Sequence, residues 1–285
     1  MPPPWTVEGK VCLITGANAG IGRATALELA RQGARVAMVC RNAAKGEAAR
    51  REIAAVASFP VDLFVADLAR QGDVRRLAKE VLAAYETLSV VISNAGVVMN
   101  ERVLTEEGHE ATFAINHLAP FLLIDQLRDR IVNSAPARII VVASQVEATG
   151  TIAFDDLMGA RVYEPLVAYR QSKLANVLFT YELARRLRDT GVTVNCLHPG
   201  VIATQLLSDY TGRPRKLGSL HRLRHPGPIE GAQTSIHLAM APALQATTGR
   251  YFRPDGEASS SPQSYDEGLA ARLWAVSAEL TGQCP

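Results

Sequence analysis

Short runs of consecutive apolar residues recur along the chain, and longer amphipathic segments separate them. Runs of four to six residues with few polar interruptions are typical of strands buried on both faces of a parallel sheet. The pattern predicts six such strands and a last edge strand, over residues 11–15, 35–40, 61–66, 88–93, 138–143, 192–197 and 249–252. Between and after them the spacing of apolar positions predicts helices, over residues 24–32, 43–57, 73–85, 108–130, 167–189 and 234–241.

This alternation predicts an α/β fold: a single doubly wound, Rossmann-type domain, with a parallel sheet of about seven strands and helices on both faces. No linker or internal repeat divides residues 1–285, so we expect one domain. Two segments break the alternation after late strands, where open α/β sheets bind their ligands. Residues 205–228 are predicted to form a substrate lid, and residues 254–285 are assigned to a C-terminal tail.

Composition and charge exclude several classes of protein. The 285 residues are 48% hydrophobic and 20% charged with a formal net charge of +2, which excludes global disorder and weighs against a nucleic-acid binder. The longest uncharged runs, such as residues 111–124, fall short of the ~20 apolar residues of a membrane span. The four cysteines are scattered, and His221 and His225 lack a third ligand, so we expect no metal site. No secretory signal is evident, so we expect a cytoplasmic protein.

The first predicted strand leads through a glycine-rich turn directly into a helix. The turn reads Thr-Gly-Ala-Asn-Ala-Gly-Ile-Gly over residues 15–22, a TGxxxGxG spacing rather than the commoner GxGxxG. Such a turn lets backbone N–H groups approach a pyrophosphate, and the helix N-terminus adds a favourable dipole. Glycines after a strand can also merely form a turn, but the strand–turn–helix context favours phosphate binding.

The residues that follow the second predicted strand indicate which dinucleotide would bind. An acidic side chain near this point would accept hydrogen bonds from the adenosine ribose and select NAD. Cys40 stands where we would look for that carboxylate, and Arg41 and Asn42 follow it. Arg41 can pair with a 2′-phosphate, which favours NADP(H), and Lys45 offers a second cation. The alternative is that Arg41 is an ordinary solvated side chain.

A tyrosine and a lysine lie four residues apart at the start of the long predicted helix. Tyr169 and Lys173 therefore share one face, where the ammonium can stabilise the phenolate and lower the phenol pKa. A phenol tuned in this way can donate or accept a proton near neutral pH. Ser144 follows the fifth strand and is expected at the edge of the sheet beside this helix.

Together these blocks resemble the short, single-domain branch of the short-chain dehydrogenase/reductase family, over residues 10–252. The sequences of residues 115–123 and 169–178 most resemble those of the retinol-dehydrogenase and WW-domain-oxidoreductase group. Members of that group are often membrane-anchored, but no anchor is evident here, so neither their localisation nor retinoid substrates are carried over. The matching residues are those of the glycine-rich turn, Asp67-Leu68, Asn94-Ala95-Gly96, Asn116, Ser144, Tyr169-Arg-Gln-Ser-Lys173 and Pro199-Gly200 with Thr204.

The resemblance implies a role for each matching residue. Tyr169 would be the general acid, Ser144 would polarise the carbonyl oxygen, Lys173 would hold the nicotinamide ribose and lower the Tyr169 pKa, and Asn116 would keep a relay water. The implied cofactor contacts, with those read from the second strand, are Gly16, Asn18, Ala19, Gly20, Ile21, Gly22, Arg41, Asn42, Lys45, Asp67, Leu68, Asn94, Ala95, Gly96, Tyr169, Lys173, Pro199, Gly200 and Thr204.

The chain departs from the family pattern in two places. The usual paired serine is Ala143-Ser144 here, and 24 residues separate Ser144 from Tyr169, a long insert that could reshape the pocket or a subunit interface. Basic side chains crowd residues 213–225, which would either attract an anionic substrate or form a solvated lid. Gln145 and Glu147, just past Ser144, hint at a polar pocket.

The sequence therefore predicts an NADP(H)-preferring oxidoreductase that reduces a ketone or aldehyde to an alcohol, or catalyses the reverse, with Tyr169 as general acid/base. The alternative is a regulatory protein that binds NADP(H) without turnover; the intact catalytic positions weigh against it. An epimerase or dehydratase is a weaker third reading. The partner is a small carbonyl or alcohol substrate, with no nucleic acid. A homodimer or homotetramer through the two long helices is compatible with the resemblance.

Overall fold

The structure, a computed structural model, describes residues 4–202 and 227–284. Within them an eight-stranded sheet has the order β3-β2-β1-β4-β5-β6-β7-β8, in which each pair of neighbours is parallel except the antiparallel β7 and β8. The prediction of a single doubly wound α/β domain is confirmed, with one strand more than the seven expected. The strands are β1 Val11–Thr15, β2 Arg35–Cys40, β3 Asp62–Val65, β4 Val90–Ser93, β5 Ala137–Val142, β6 Val192–Leu197, β7 Arg250–Arg253 and β8 Gly256–Ala258.

The chain reverses its direction across the sheet between β1 and β4. Strands β2 and β3 lie on one side of β1, and β4 to β7 continue on the other, so β1 pairs in parallel with both β2 and β4. This is the switch point of the sheet, where open α/β folds have their ligand crevice, at the carboxyl edge. The glycine-rich turn and residues 94–96 are the loops that follow β1 and β4.

Successive residues of each central strand face opposite helical layers. On β1, Leu13 packs into one buried cluster and Ile14 into the other, and both side chains are fully buried. One layer holds α3, α5, α6 and α8; the other holds α1, α2 and α7. The helices are α1 Gly20–Arg31, α2 Ala43–Ala54, α3 Gln71–Ala84, α4 Ala111–Phe113, α5 Ala119–Asn133, α6 Pro165–Arg186, α7 Pro228–Met240 and α8 Glu267–Leu280.

The helix predicted over 108–130 is interrupted. A single turn, α4, leads into a π-helical turn at Ala114–Leu118, and only then does α5 begin. Such π turns are frequent at functional sites because the inserted residue changes where the following side chains lie. Asn116, one of the predicted catalytic residues, lies in this turn.

Residues 254–285, expected to be a tail, contain β8 and α8. Trp274 of α8 is buried, with its ring centroid 4.9 Å from that of Phe121 on α5 and 5.8 Å from that of Phe179 on α6. The Arg186 guanidinium lies 4.2 Å from the Trp274 ring centroid. Helix α8 therefore covers part of the α5 and α6 surface, which was the expected subunit interface. The homodimer or homotetramer stays a prediction.

Two predictions concern parts of the chain that the structure covers incompletely. The predicted lid over 205–228 and its basic stretch 213–225 lie outside the described residues, apart from the start of α7.

No helix in the described ranges is both long and apolar enough to span a bilayer. Within the same ranges, the acidic, His and Cys side chains form no metal-binding cluster.

Candidate active site

The glycine-rich turn is tightly packed between β1 and α1. Gly16 has φ +69°, and its N–H donates to the carbonyl of Val39 on β2 at 2.9 Å. A Cβ at Gly22 would lie 2.4 Å from the Gly16 carbonyl oxygen and 2.4 Å from Nδ2 of Asn94. No side chain fits there, so both glycines are required for this turn to close against the loop after β4.

The N-terminus of α1 is free to bind an anion. Ala19 is the N-cap and has no side chain that could accept from the first N–H groups, and the first turn carries no acidic residue. The positive end of the helix dipole and these unsatisfied donors favour a phosphate. The predicted contacts at this end are half-buried or exposed, apart from the buried Gly22: Gly16, Asn18, Ala19, Gly20 and Ile21. The turn thus fits the pyrophosphate of a dinucleotide.

Asn94 and Ala95 are tied to the same turn through Thr15. The buried Thr15 Oγ1 accepts from the N–H groups of Asn94 and Ala95, each at 3.0 Å, and Asn94 Nδ2 donates to the Thr15 carbonyl at 2.9 Å. Asn94 therefore joins the two loops of the crevice, a structural role that the motif alone did not reveal.

Replacing Thr15 with valine tests this junction. The isosteric change leaves two N–H groups without their acceptor, so we expect a loss of about 2 kcal/mol in the free energy of unfolding. Thr15→Ser keeps the hydroxyl and serves as the control. Urea denaturation measures both, and equal stability of the valine and serine variants would contradict the role of Oγ1.

The residues after β2 have two different environments. Asn42 caps a helix, whereas the side chains of Arg41 and Lys45 are exposed and accessible to a ligand. Asn42 Oδ1 accepts from the Lys45 N–H at 2.9 Å and so caps α2. The Arg41 and Lys45 side chains are exposed, and among the described residues neither is ion-paired. Cys40 is buried, where burial raises its thiol pKa above the usual value. Asn42 is therefore a helix cap, and its contact with a cofactor stays a prediction.

Three other predicted contacts lie at loops along the same sheet edge. Asp67 follows β3, and its carboxylate accepts from the Ala69 N–H at 3.0 Å. Leu68 packs against the hydrophobic core. Gly200, with φ +86°, donates its N–H to His198 Nδ1 at 3.1 Å in the loop after β6, and Pro199 precedes it half-buried. Thr204 lies outside the described residues.

Tyr169 and Lys173 lie together near the start of α6 and are almost fully buried. The Lys173 Nζ is 5.6 Å from the Tyr169 ring centroid and donates to the carbonyl of Val142, the last residue of β5, at 2.9 Å. Burial lowers the pKa of Lys173 to about 8, since the charged form loses its hydration. At neutral pH this group remains an ammonium beside the phenol.

Asn116 meets Lys173 at the backbone of Gly96. Asn116 Oδ1 accepts from the Val97 N–H at 2.8 Å, and its Nδ2 donates to the Val97 carbonyl and to Ser172 Oγ, at 2.9 and 3.0 Å. A Cβ at Gly96 would lie 3.5 Å from both Asn116 Oδ1 and Lys173 Nζ. The π turn, α6 and the β4 loop therefore converge on one point of the crevice.

Ser144 completes the group at the end of β5. It is half-buried and immediately precedes a 3₁₀ turn at Gln145–Thr149, two residues beyond the Val142 carbonyl that holds Lys173. Ser172 was part of the matched block but was assigned no role, and no sequence signal pointed to the Val142 carbonyl; these two groups position Asn116 and Lys173. This arrangement has a phenol that can exchange a proton, a cation that tunes it and a hydroxyl that can polarise a carbonyl.

Of the three polar residues beside the motifs, His117 and Glu147 are buried in internal contacts. His117 Nε2 lies 2.8 Å from Ser277 Oγ of α8, and burial lowers the His117 pKa to about 4, so the ring is neutral and structural. Glu147 contacts Ser261, while Gln145 is exposed. Of the two residues that indicated a polar pocket, only Gln145 therefore remains available to line one.

Fold and site define a Rossmann-type dehydrogenase or reductase. A short chain dehydrogenase profile matches residues 10–213. Human retinol dehydrogenase 14 is 42% identical over 297 residues, covering 98% of this chain and 88% of that protein. An uncharacterized protein of Mycobacterium paratuberculosis has a solved structure with a TM-score of 0.79 at 32% identity, covering 99% and 98% of the two chains. A solved NADP complex of Pseudomonas aeruginosa RhlG has a TM-score of 0.71 at 25% identity, covering 95% and 100%.

The chain therefore belongs to the short-chain dehydrogenase family and resembles its retinol dehydrogenases, as its motifs predicted. The family makes it a dehydrogenase or reductase.

Proposed function

We propose that the protein is an NADP(H)-dependent oxidoreductase that reduces a ketone or aldehyde to an alcohol, or catalyses the reverse, with Tyr169 as general acid/base. The observation that carries this proposal is the placement of the buried Lys173 ammonium beside the Tyr169 ring and Asn116. The bound nicotinamide would supply or accept the hydride. No carboxylate in residues 4–202 or 227–284 pairs with this ammonium, and burying it there is unfavourable, so its position beside a phenol favours a chemical role.

Each side chain has a distinct task in this proposal. Tyr169 gives its phenol proton to the carbonyl oxygen during reduction, and Ser144 donates a hydrogen bond to that oxygen. The Lys173 ammonium stabilises the phenolate that Tyr169 becomes, which lowers the phenol pKa. Asn116 is held by Val97 and Ser172, and it is suited to keep a water in a proton path behind Lys173.

The preference for NADP(H) rests on the residues after β2. Cys40 offers no carboxylate to the adenosine ribose, while Arg41 and Lys45 present exposed cations that no described carboxylate pairs. An arginine suits a phosphate because its planar donors match two phosphate oxygens. The NADP complex of the RhlG relative is consistent with this preference.

Replacing Arg41 with alanine tests the preference. We expect NADPH binding to weaken roughly 10- to 100-fold, since a charge-assisted hydrogen bond to the 2′-phosphate is lost, and NADH binding to change less than twofold. Titration of cofactor fluorescence measures both dissociation constants.

Arg51→Ala is the matched control, because Arg51 lies on α2, is exposed and pairs with Glu47. Its cofactor binding should equal that of the wild-type protein. Tighter binding of NADH than of NADPH by the wild-type protein would contradict the proposed preference.

The relatives suggest which carbonyl compounds to test first. The name of retinol dehydrogenase 14 points to a primary alcohol and its aldehyde. We propose to begin with retinaldehyde, nonanal and cyclohexanone, which separate long apolar aldehydes from a compact ketone. Chromatographic measurement of the alcohol formed reports turnover of each, and binding without turnover of any carbonyl would favour the regulatory alternative.

A further inference from the structure

The 3₁₀ turn at Gln145–Thr149, which directly follows Ser144 and is called the Ser144 turn below, is bound to the C-terminal segment, residues 254–285. The contact is made by a buried carboxylate. Glu147 lies one turn after Ser144, and its N–H donates to the Ser144 carbonyl at 3.1 Å. Its side chain is only 2% exposed. The two carboxylate oxygens accept from the Ser261 N–H at 2.9 Å and from the Ser261 hydroxyl at 2.6 Å. Residues 147 and 261 are 114 positions apart in the sequence.

Burying the Glu147 carboxylate costs free energy, which argues that this contact serves a function. Among the described residues no Lys or Arg pairs with Glu147, so its charge is compensated by neutral donors alone. Burial raises the pKa of the Glu147 carboxyl above its ordinary value, and the hydrogen bonds from Ser261 oppose that rise. If this position needed only to be filled, burying a neutral side chain there would cost less free energy.

The partner of Glu147 is itself held rigidly. The Ser261 carbonyl accepts from the Ser264 N–H at 3.0 Å and from the Ser264 hydroxyl at 2.6 Å. Ser264 Oγ in turn lies 2.6 Å from Ser260 Oγ, which is 2.6 Å from the Tyr181 hydroxyl on α6. The C-terminal segment is thereby fixed to the helix that carries Tyr169.

The same segment holds the far end of the Ser144 turn. Gln263 Nε2 donates to the Gly150 carbonyl at 2.6 Å. A Cβ at Gly150 would lie 2.6 Å from the carbonyl oxygen of Arg170, so this end of the turn packs directly on the residue after Tyr169. The turn is therefore clamped at residues 147 and 150, between Ser144 and the start of α6.

We propose that Glu147 is a positioning residue: by binding Ser261 it fixes the Ser144 turn, so that the Ser144 hydroxyl faces the reacting oxygen. This inference rests on the proposed function, because it assigns Glu147 an effect on a step that Ser144 assists. A hydroxyl that is displaced by about 1 Å loses much of its effect on the rate.

The test measures carbonyl reduction by Glu147→Ala at saturating NADPH, with the substrate among retinaldehyde, nonanal and cyclohexanone that the wild-type protein reduces fastest. We expect kcat to fall roughly tenfold and the NADPH dissociation constant to stay within about twofold. Glu147→Gln should restore kcat to within about threefold, since the amide can accept from the Ser261 N–H and donate to its hydroxyl. Glu257→Ala, an exposed ion-paired site on β8, is the matched control and should leave kcat unchanged.

The discriminating measurement repeats Glu147→Ala in a Ser144→Ala background, by single-turnover oxidation of NADPH with excess enzyme. If Glu147 acts through Ser144, its removal changes this residual rate less than about twofold. If it only maintains the fold, the same tenfold loss appears in both backgrounds, which overturns the inference. If Glu147→Ala does not fold by circular dichroism, Ser261→Ala, which keeps the backbone N–H bond, takes its place with a smaller expected loss and the same dependence on Ser144.

The outcomes also separate this inference from the proposed function. An active wild-type protein whose kcat is insensitive to Glu147→Ala overturns the positioning role alone. A wild-type protein that reduces none of the three carbonyl compounds and oxidises none of the corresponding alcohols overturns the proposed function, and the positioning role with it.

Discussion

Replacing Tyr169 with phenylalanine is expected to lower kcat for carbonyl reduction by roughly 10²- to 10⁴-fold, the range typical of a lost general acid. The dissociation constant of NADPH should change less than about twofold, because the ring remains on α6 and only the hydroxyl is removed. Steady-state NADPH oxidation and fluorescence titration of the same preparation give the two values.

Tyr163→Phe is the matched control for this prediction. Tyr163 lies six residues before Tyr169, and its hydroxyl contacts the Met99 carbonyl and Glu110 at 3.0 Å each. We expect its kcat within about threefold of the wild type. Equal activity of Tyr169→Phe and the wild-type protein would contradict the assignment of Tyr169 as the proton donor.

Replacing Lys173 with methionine is expected to have opposite effects on activity and stability. Loss of the ammonium should lower kcat roughly 10²-fold or more, since no cation then stabilises the phenolate. The folded protein should nevertheless become more stable at pH 7. Lowering of the Lys173 pKa from 10.5 to about 8 by burial corresponds to about 3 kcal/mol, of which the unpaired Val142 carbonyl cancels about 1–2 kcal/mol. Thermal unfolding should show a Tm higher by a few degrees.

The pH dependence of that stability difference follows from the sign of the pKa shift. Below pH 8 both the folded and the unfolded wild-type chains carry the Lys173 proton, and the folded state bears the whole burial penalty. Between pH 8 and 10.5 the folded state releases the proton first, so wild-type stability rises relative to the variant. The Tm difference between Lys173→Met and the wild type should therefore shrink from pH 7 to pH 10. A variant that is less stable than the wild type at pH 7 would contradict the expected free-energy penalty for burying the Lys173 ammonium.

The strands could be predicted because burial on both faces leaves an uninterrupted apolar run. Val11–Thr15 and Val192–Leu197 were predicted with their observed bounds for this reason. The π turn at Ala114–Leu118 could not be predicted, since all five of its residues are buried and an inserted residue leaves such a pattern unchanged. Helix α8 was missed because the polar residues that lead into it, 254–267, were interpreted as the start of a tail.

Apart from Thr204, which lies outside the described residues, the predicted site residues lie at or near one edge of the sheet, because parallel strands end there. The spacing of Tyr169 and Lys173 already implied one helical face, and the structure adds the Val142 carbonyl and Ser172, which hold Lys173 and Asn116. Contacts between distant segments, such as Glu147 with Ser261, leave no trace in local spacing. Asn94 and Asn42 were predicted as cofactor contacts, but their observed hydrogen bonds are within the protein. Their contacts with a cofactor stay predictions.

The central claim is hydride transfer between the nicotinamide and a carbonyl carbon, and isotope transfer tests it most directly. The protein is incubated with NADPH dideuterated at C4 and with each of retinaldehyde, nonanal and cyclohexanone, and the products are analysed by mass spectrometry. We expect the corresponding alcohol to carry one deuterium on its carbinol carbon, and the Tyr169→Phe protein to form it far more slowly. Tight binding of NADPH without any deuterated alcohol, and without oxidation of the three alcohols by NADP⁺, would contradict the claim.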